Sequence, residues 1–177
     1  MKRIQILDLI LMAFYLALFV VLDYTSKFFA FFTMPNGGSL GLGVIALLLA
    51  SYHLGFTKGT LVAVASVYLQ GLMSPFMSQH ILDFIVEYIV AFGLYGSACL
   101  FPDFGKHKQI KSGIIVTNLV RLAIHTWAGV AYWSVPWWGS LSYNGWYMIP
   151  TLLVSLALVP PLLNRIPTKY RRKPLLI

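Results

Sequence analysis

Apolar residues run along this chain in long blocks, each ended by a short break rich in polar residues, glycine or proline. The first block spans about Ile4 to Leu22 and continues, less regularly, through Phe28–Phe32. Pro35-Asn36-Gly37-Gly38-Ser39 interrupts it with the composition of a tight turn. A second block, Leu40 to about Leu54, is parted from a third, Thr60 to about Leu72, by a turn at Gly55–Gly59 that carries Lys58. Ser74-Pro75 ends the third, and Phe76–His80 lead into a fourth from Ile81 to Phe101. Pro102–Lys111 is the clearly hydrophilic loop. A fifth block, about Ser112 to Trp133, is joined to a sixth, about Ser140 to Leu163, by Ser134-Val135-Pro136-Trp137-Trp138-Gly139, and a basic tail follows. A helix needs roughly 20 apolar residues to cross the hydrocarbon core of a bilayer. The pattern therefore predicts an all-α membrane protein: one bundle of six transmembrane helices over residues 1–177, without a soluble domain or an internal repeat.

Composition sharpens this. The chain is 59% hydrophobic and 10% charged, with a mean hydropathy of +0.78, where a soluble domain carries about 25% charged residues. The net charge of +8 does not point to nucleic acid, because the cations sit between the blocks and at the two ends. With the N-terminus in the cytoplasm, Lys2, Arg3, Lys58, Lys106, Lys108, Lys111, Arg165, Lys169, Arg171, Arg172 and Lys173 all fall inside, eleven of the thirteen cations. That bias sets orientation in a membrane and places both termini in the cytoplasm of a cell whose plasma membrane the chain crosses several times. Lys27 falls outside and Arg121 within a block. The first block has no small-residue cleavage pattern after it and reads as a retained helix. Cys99 is the single cysteine, so no intrachain disulfide forms.

Two places hold polar groups that a membrane helix carries only for a reason. Asp83 and Glu87 stand four residues apart in the fourth block, on one helical face. An ionised side chain near the bilayer centre costs about 2.5–3.5 kcal/mol even on the lenient insertion scale. Either another residue or a positively charged ligand must answer them. In the fifth block Asn118, Arg121 and His125 share a face that Gly129 and Tyr132 continue, with Trp133 beside them. Arg121 is expected to be structural, pairing with Asp83 or Glu87 or bonding to backbone carbonyls. His125, Glu87 and Asn144 lie at similar depth in the outward halves of three helices, the way bundles build sites. Tyr88, Trp133, Trp137, Trp138, Tyr143, Trp146 and Tyr147 surround that depth. Most belong to the interfacial aromatic belt, yet aromatic faces beside a carboxylate suit a flat organic cation. Ala13 and Ala17 form a small face in the first block, suited to close helix packing in lipid.

Enzymatic readings find no support: there is no His-Glu-x-x-His pair, no Gly-x-Ser-x-Gly elbow and no phosphate-gripping Gly-x-x-x-x-Gly-Lys loop. No catalytic residue, metal or cofactor is expected. A small intramembrane enzyme or assembly factor stays as the alternative of another class.

With these residues assembled, the chain resembles the thiamine-specific substrate-binding (S) components of energy-coupling factor vitamin transporters. Four segments carry the resemblance over most of its length: Pro35-Asn36-Gly37-Gly38-Ser39-Leu40; Glu87-Tyr88-Ile89-Val90-Ala91-Phe92; Arg121-Leu122-Ala123-Ile124-His125 with Trp133; and Tyr143-Asn144-Gly145-Trp146-Tyr147-Met148-Ile149-Pro150. The resemblance implies that Glu87 faces the cationic vitamin, His125 and Trp133 flank its rings, Tyr88 and Tyr147 line the pocket, and Asn144 hydrogen-bonds to it. Asp83 joins this set, standing where an amide is more usual in the family. Asn36, Gly37, Gly38 and Ser39 would form a lid. Gly139 replaces a tyrosine usual in the family, so Trp138, beside Trp137, is expected to substitute for it. Ala13 and Ala17 would dock a transmembrane coupling subunit, to which two ATPase subunits supply energy. Thiamine, or another vitamin or precursor such as a hydroxymethylpyrimidine or a pyridoxine-like compound, would be captured from outside.

Overall fold

The computed structural model describes residues 5–105 and 110–166. Lys2, Arg3, Lys106, Lys108, Lys169, Arg171, Arg172 and Lys173, which carry much of the expected orientation signal, lie outside the described residues. Among the described residues six helices follow in order, with a 3-10 turn at Ala30–Phe32 between the first two: α1 Ile6–Ser26, α2 Gly43–Leu54, α3 Phe56–Met73, α4 Ile81–Leu100, α5 Ser112–Ala131 and α6 Trp137–Arg165. A two-residue antiparallel pair, β1 Asp103–Phe104 with β2 Ile110–Lys111, holds the ends of the hydrophilic loop together. Lys111 and Asp103 ion-pair across it at 2.6 Å.

The helices are not equivalent. Four of them, α1, α4, α5 and α6, are long and apolar enough to cross a membrane. Helix α2 has 12 residues, about 18 Å at 1.5 Å per residue, short of a ~30 Å core. All of its residues but Tyr52 are buried, so α2 is the centre of the bundle rather than a lipid-facing span. In α3 the run of 18 residues is broken by Lys58, Thr60, Ser66 and Gln70. A single residue, Gly55 at φ 85°, turns α2 into α3. Close approach then continues: a Cβ on Gly59 would lie 2.7 Å from the backbone of Ser51, which only glycine allows.

Helix α1 is the opposite case, the most apolar and the least buried. Its Tyr15 and Phe19 pack against the core. Ile6, Ile10, Phe14, Val21 and Tyr24 face out, and Ala13 and Ala17 are exposed on the same side. Its start is fixed by Asp8, which accepts the Gln5 backbone N–H at 3.0 Å and ion-pairs with Lys58 of α3.

Helix α4 changes its winding along its length. It is α-helical at Ile81–Phe84, π-helical at Ile85–Val90, α-helical again at Ala91–Gly93 and 3-10 at Leu94–Leu100. A π turn inserts one extra residue per turn and re-aims the side chains around it, and such turns gather at functional sites. Here the π segment is the one that carries Glu87 and Tyr88. Helix α6 starts earlier than the sequence pattern suggests. Pro136 stands at its N-cap and Trp137 to Gly139 already form its first turn; a proline before a helix costs no hydrogen bond.

A polar cavity at one end of the bundle

The C-terminal ends of α1, α3 and α5 meet the N-terminal ends of α2, α4 and α6 at one end of the bundle, around a cavity of about 720 Å³. That volume lies within the usual range for small-molecule sites. Helix α5 supplies one wall through residues four apart: Arg121, His125 and Gly129, with Trp133 just beyond the helix. Gly129 lets α6 come close, since a Cβ there would sit 2.2 Å from Ser140 Oγ. Helix α4 supplies Glu87 and Tyr88, and α6 supplies Ser140, Tyr143, Asn144 and Tyr147.

At the centre lies a chain of three side chains. Arg121 Nε lies 3.3 Å from His125 Nε2, and His125 Nδ1 lies 3.1 Å from a Glu87 carboxylate oxygen. A guanidinium can only donate. His125 Nε2 must therefore accept, its proton sits on Nδ1, and the neutral imidazole donates to Glu87. Arg121 is further held by Tyr95, whose hydroxyl accepts from Nη1 at 3.2 Å, and lies over the Phe92 ring at 4.4 Å. No carboxylate pairs directly with Arg121 among the described residues. The expected ion pair of Arg121 with Asp83 or Glu87 is thus replaced by hydrogen bonds and ring stacking, because His125 stands in between.

Helix α6 holds the segment Asn36–Ser39, which lines the cavity. Tyr143 Oη accepts the Asn36 N–H at 3.0 Å and donates to Gly37 O at 2.9 Å. Met34 N–H donates to Gly38 O at 2.8 Å, closing the turn, with Gly37 and Gly38 at φ 89° and 95°. A Cβ on Gly38 would fall 2.5 Å from the Tyr147 ring, so both its φ and its neighbour demand glycine. Tyr147 Oη donates to Asn144 Oδ1 at 2.7 Å, and Asn144 Nδ2 donates to Ser140 O at 3.0 Å. Asn144 Nδ2 also donates to Ser140 Oγ at 3.4 Å, so one oxygen lone pair of Asn144 remains for a guest. The Tyr88 hydroxyl is taken up by Met77, from whose N–H it accepts at 3.1 Å, so Tyr88 offers its ring.

Glu87, Tyr88, His125, Trp133, Asn144, Tyr147 and the segment Asn36–Ser39 all line the cavity. Two residues of the expected set do not. Trp138, in the first turn of α6, is 79% exposed and outside the lining; the early helix start turns it outward. Asp83 is fully buried but also outside the lining. It sits in the first turn of α4, and its Oδ2 accepts the Gln79 N–H at 2.8 Å. A carboxylate there suits the electropositive helix start, so Asp83 holds the end of α4. Sequence reasoning missed Asp23 and Lys27 of α1 and Gln70 and Ser74 at the end of α3, which also line the cavity. Lys27 Nζ donates to Ser74 Oγ at 3.1 Å. Their signal in the sequence is weak, because the regular apolar block ends at Leu22 and Asp23 and Lys27 fall beyond it.

A helical bundle of membrane-spanning character, with a polar and aromatic cavity at one end, defines an integral membrane protein with a pocket of small-molecule size. Residues 9–171 match the family described as Thiamine transporter protein (Thia_YuaJ), and the chain belongs to that family. It is therefore a transport protein of the cell membrane, crossing it several times, and not an enzyme. The thiamine transporter ThiT of Bacillus subtilis (strain 168) is 28% identical over 168 residues, covering 85% of this chain and 86% of the relative. A solved structure of ThiT from Listeria monocytogenes has the same fold, with a TM-score of 0.67 over 93% of this chain and 97% of that one, at 22% identity.

Proposed function

We infer that this chain is the substrate-binding component of an energy-coupling factor importer and binds thiamine. The observation that carries the reading is Glu87: a carboxylate in a lidded cavity, held by a neutral histidine rather than by the nearby guanidinium, beside Tyr88, Trp133 and Tyr147. A thiazolium carries the positive charge such a group is short of, and its rings suit aromatic walls. In this reading all six helices sit within the membrane, both termini face the cytoplasm, and the cavity faces outward. Delivery inward needs a coupling subunit and two ATPase subunits. The exposed stripe of α1 with Ala13 and Ala17 is the docking face, since small residues let a partner helix approach closely.

A second ligand is favoured by one feature. Gly139 lines the cavity, leaving room where the family's tyrosine would stand, which a hydroxymethylpyrimidine or a pyridoxine-like compound would fill differently. Isothermal titration of the purified protein against a panel of these compounds decides between them. Submicromolar binding of thiamine with the others at least tenfold weaker supports the first reading; the reverse order overturns it.

A further inference from the structure

Asn118 of α5 and Tyr95 of α4 are buried and lie outside the cavity lining. Yet they begin a chain of hydrogen bonds that ends at Glu87. The Asn118 amide is turned by its own helix: Nδ2 donates to Ile114 O at 2.8 Å, and a carbonyl can only accept. Oδ1 therefore faces Tyr95 and takes its hydroxyl proton at 3.1 Å. With that proton engaged, the Tyr95 oxygen offers only lone pairs to Arg121, whose Nη1 donates to it at 3.2 Å. The same guanidinium donates from Nε to His125, and His125 donates to Glu87. The direction of every bond in the series follows from a backbone carbonyl at one end and a guanidinium in the middle.

What the series restrains is a positive charge. Lys27 lines the cavity too, but it is exposed at the rim and engaged with Ser74. Arg121 reaches inside and has no direct carboxylate partner among the described residues. Asp83 interacts with Glu87 from one turn earlier on α4, but one acid cannot answer the charge of another. A guanidinium left free would turn to these acids, because its fork of N–H donors matches a carboxylate.

We propose that Tyr95 and Asn118 are positioning residues for ligand recognition: they tether the Arg121 guanidinium between α4 and α5, so that it does not close an ion pair with Glu87 and that acid stays open to a cationic guest. This rests on the thiamine reading and extends the site one layer beneath the residues that line it. It agrees with a structural Arg121, since the guanidinium serves the fold through Tyr95.

The test compares two ligands of one shape: thiamine, and an isostere whose thiazolium is replaced by an uncharged five-membered ring. Wild type is expected to favour the cation by about tenfold or more. Tyr95→Phe keeps the ring and removes the acceptor. It is expected to cut the preference to about threefold or less, while the isostere binds within about twofold of its wild-type affinity. Adding Arg121→Gln to Tyr95→Phe removes the untethered charge and restores the preference. Asn118→Leu, which removes the oxygen that directs the Tyr95 proton, gives the same readout if Tyr95→Phe cannot be purified. A fold merely loosened would weaken both ligands alike. An equal loss for both, an unchanged preference in the single variants, or a loss that persists once Arg121 is uncharged overturns the proposal. Wild type that binds neither compound below micromolar overturns the thiamine reading itself, which separates the two failures.

Discussion

His125 donates its Nδ1 proton to the Glu87 carboxylate, the two heavy atoms 3.1 Å apart, and so keeps the nearest guanidinium one residue away from that acid. A direct Arg–Glu pair would satisfy the carboxylate and leave nothing to attract a cation. A neutral imidazole between them orients Glu87 without cancelling its charge. The arrangement predicts a fixed tautomer. In ¹⁵N spectra of labelled protein the ring of His125 should carry its proton on Nδ1 below the temperature of unfolding, and a ring protonated on Nε2 alone would contradict the hydrogen-bond chain.

Arg121 is expected to matter for stability more than for ligand choice. It bonds to Tyr95 and stacks on Phe92, and a hydrogen bond involving a charged group contributes about 1.5–3 kcal/mol. Arg121→Ala should lower the melting temperature by about 4–8 °C, the equivalent of about 2 kcal/mol in a chain of this size. Normal stability with altered selectivity would show that Arg121 touches the ligand.

The lid should fail at Gly38. Alanine there must hold φ near 95° and push against the Tyr147 ring, a strain of about 1–2 kcal/mol. Gly38→Ala is expected to raise the ligand dissociation rate about tenfold, read by stopped-flow tryptophan fluorescence. Tyr143→Phe, which removes two lid hydrogen bonds, should act in the same direction. Unchanged off-rates in both would mean the segment does not cover the ligand.

Trp138 separates the structure from the sequence pattern. Because its side chain faces out of the first turn of α6, Trp138→Ala should leave affinity within about twofold, as surface substitutions usually do. Trp133→Ala, which removes an aromatic wall of the cavity, should lower affinity at least tenfold, a cost of about 1.4 kcal/mol. Equal effects of the two would contradict the placement of the lining.

Docking and binding should come apart on α1. Ala13→Leu with Ala17→Leu adds bulk to an exposed face that the cavity does not use. Uptake by cells should be lost while the purified protein binds its ligand normally. Full uptake would remove this face from any partner contact.

Much of this was legible in the residues themselves. The six blocks became six helices, and the polar face of α5 was readable because Arg121, His125 and Gly129 recur at helical spacing. Asp83 carries a readable signal of another kind: a carboxylate three residues after His80 belongs to a helix start. Other features depend on tertiary contacts. Apolar periodicity cannot separate the short, enclosed α2 from a spanning helix, since both are apolar all round. Nor does local pattern reveal the π turn around Glu87. Asp23 is visible as a lining residue only because α1 runs past Leu22 to Ser26.

The most direct test is calorimetric titration of thiamine into wild type and Glu87→Gln, the two proteins matched for melting temperature. The amide keeps the shape and can still accept from His125 but has no charge. A loss of at least tenfold, about 1.4 kcal/mol, is the predicted result. Equal affinity for the vitamin in the two proteins would mean that the acid serves the fold and that the cation is held by something else.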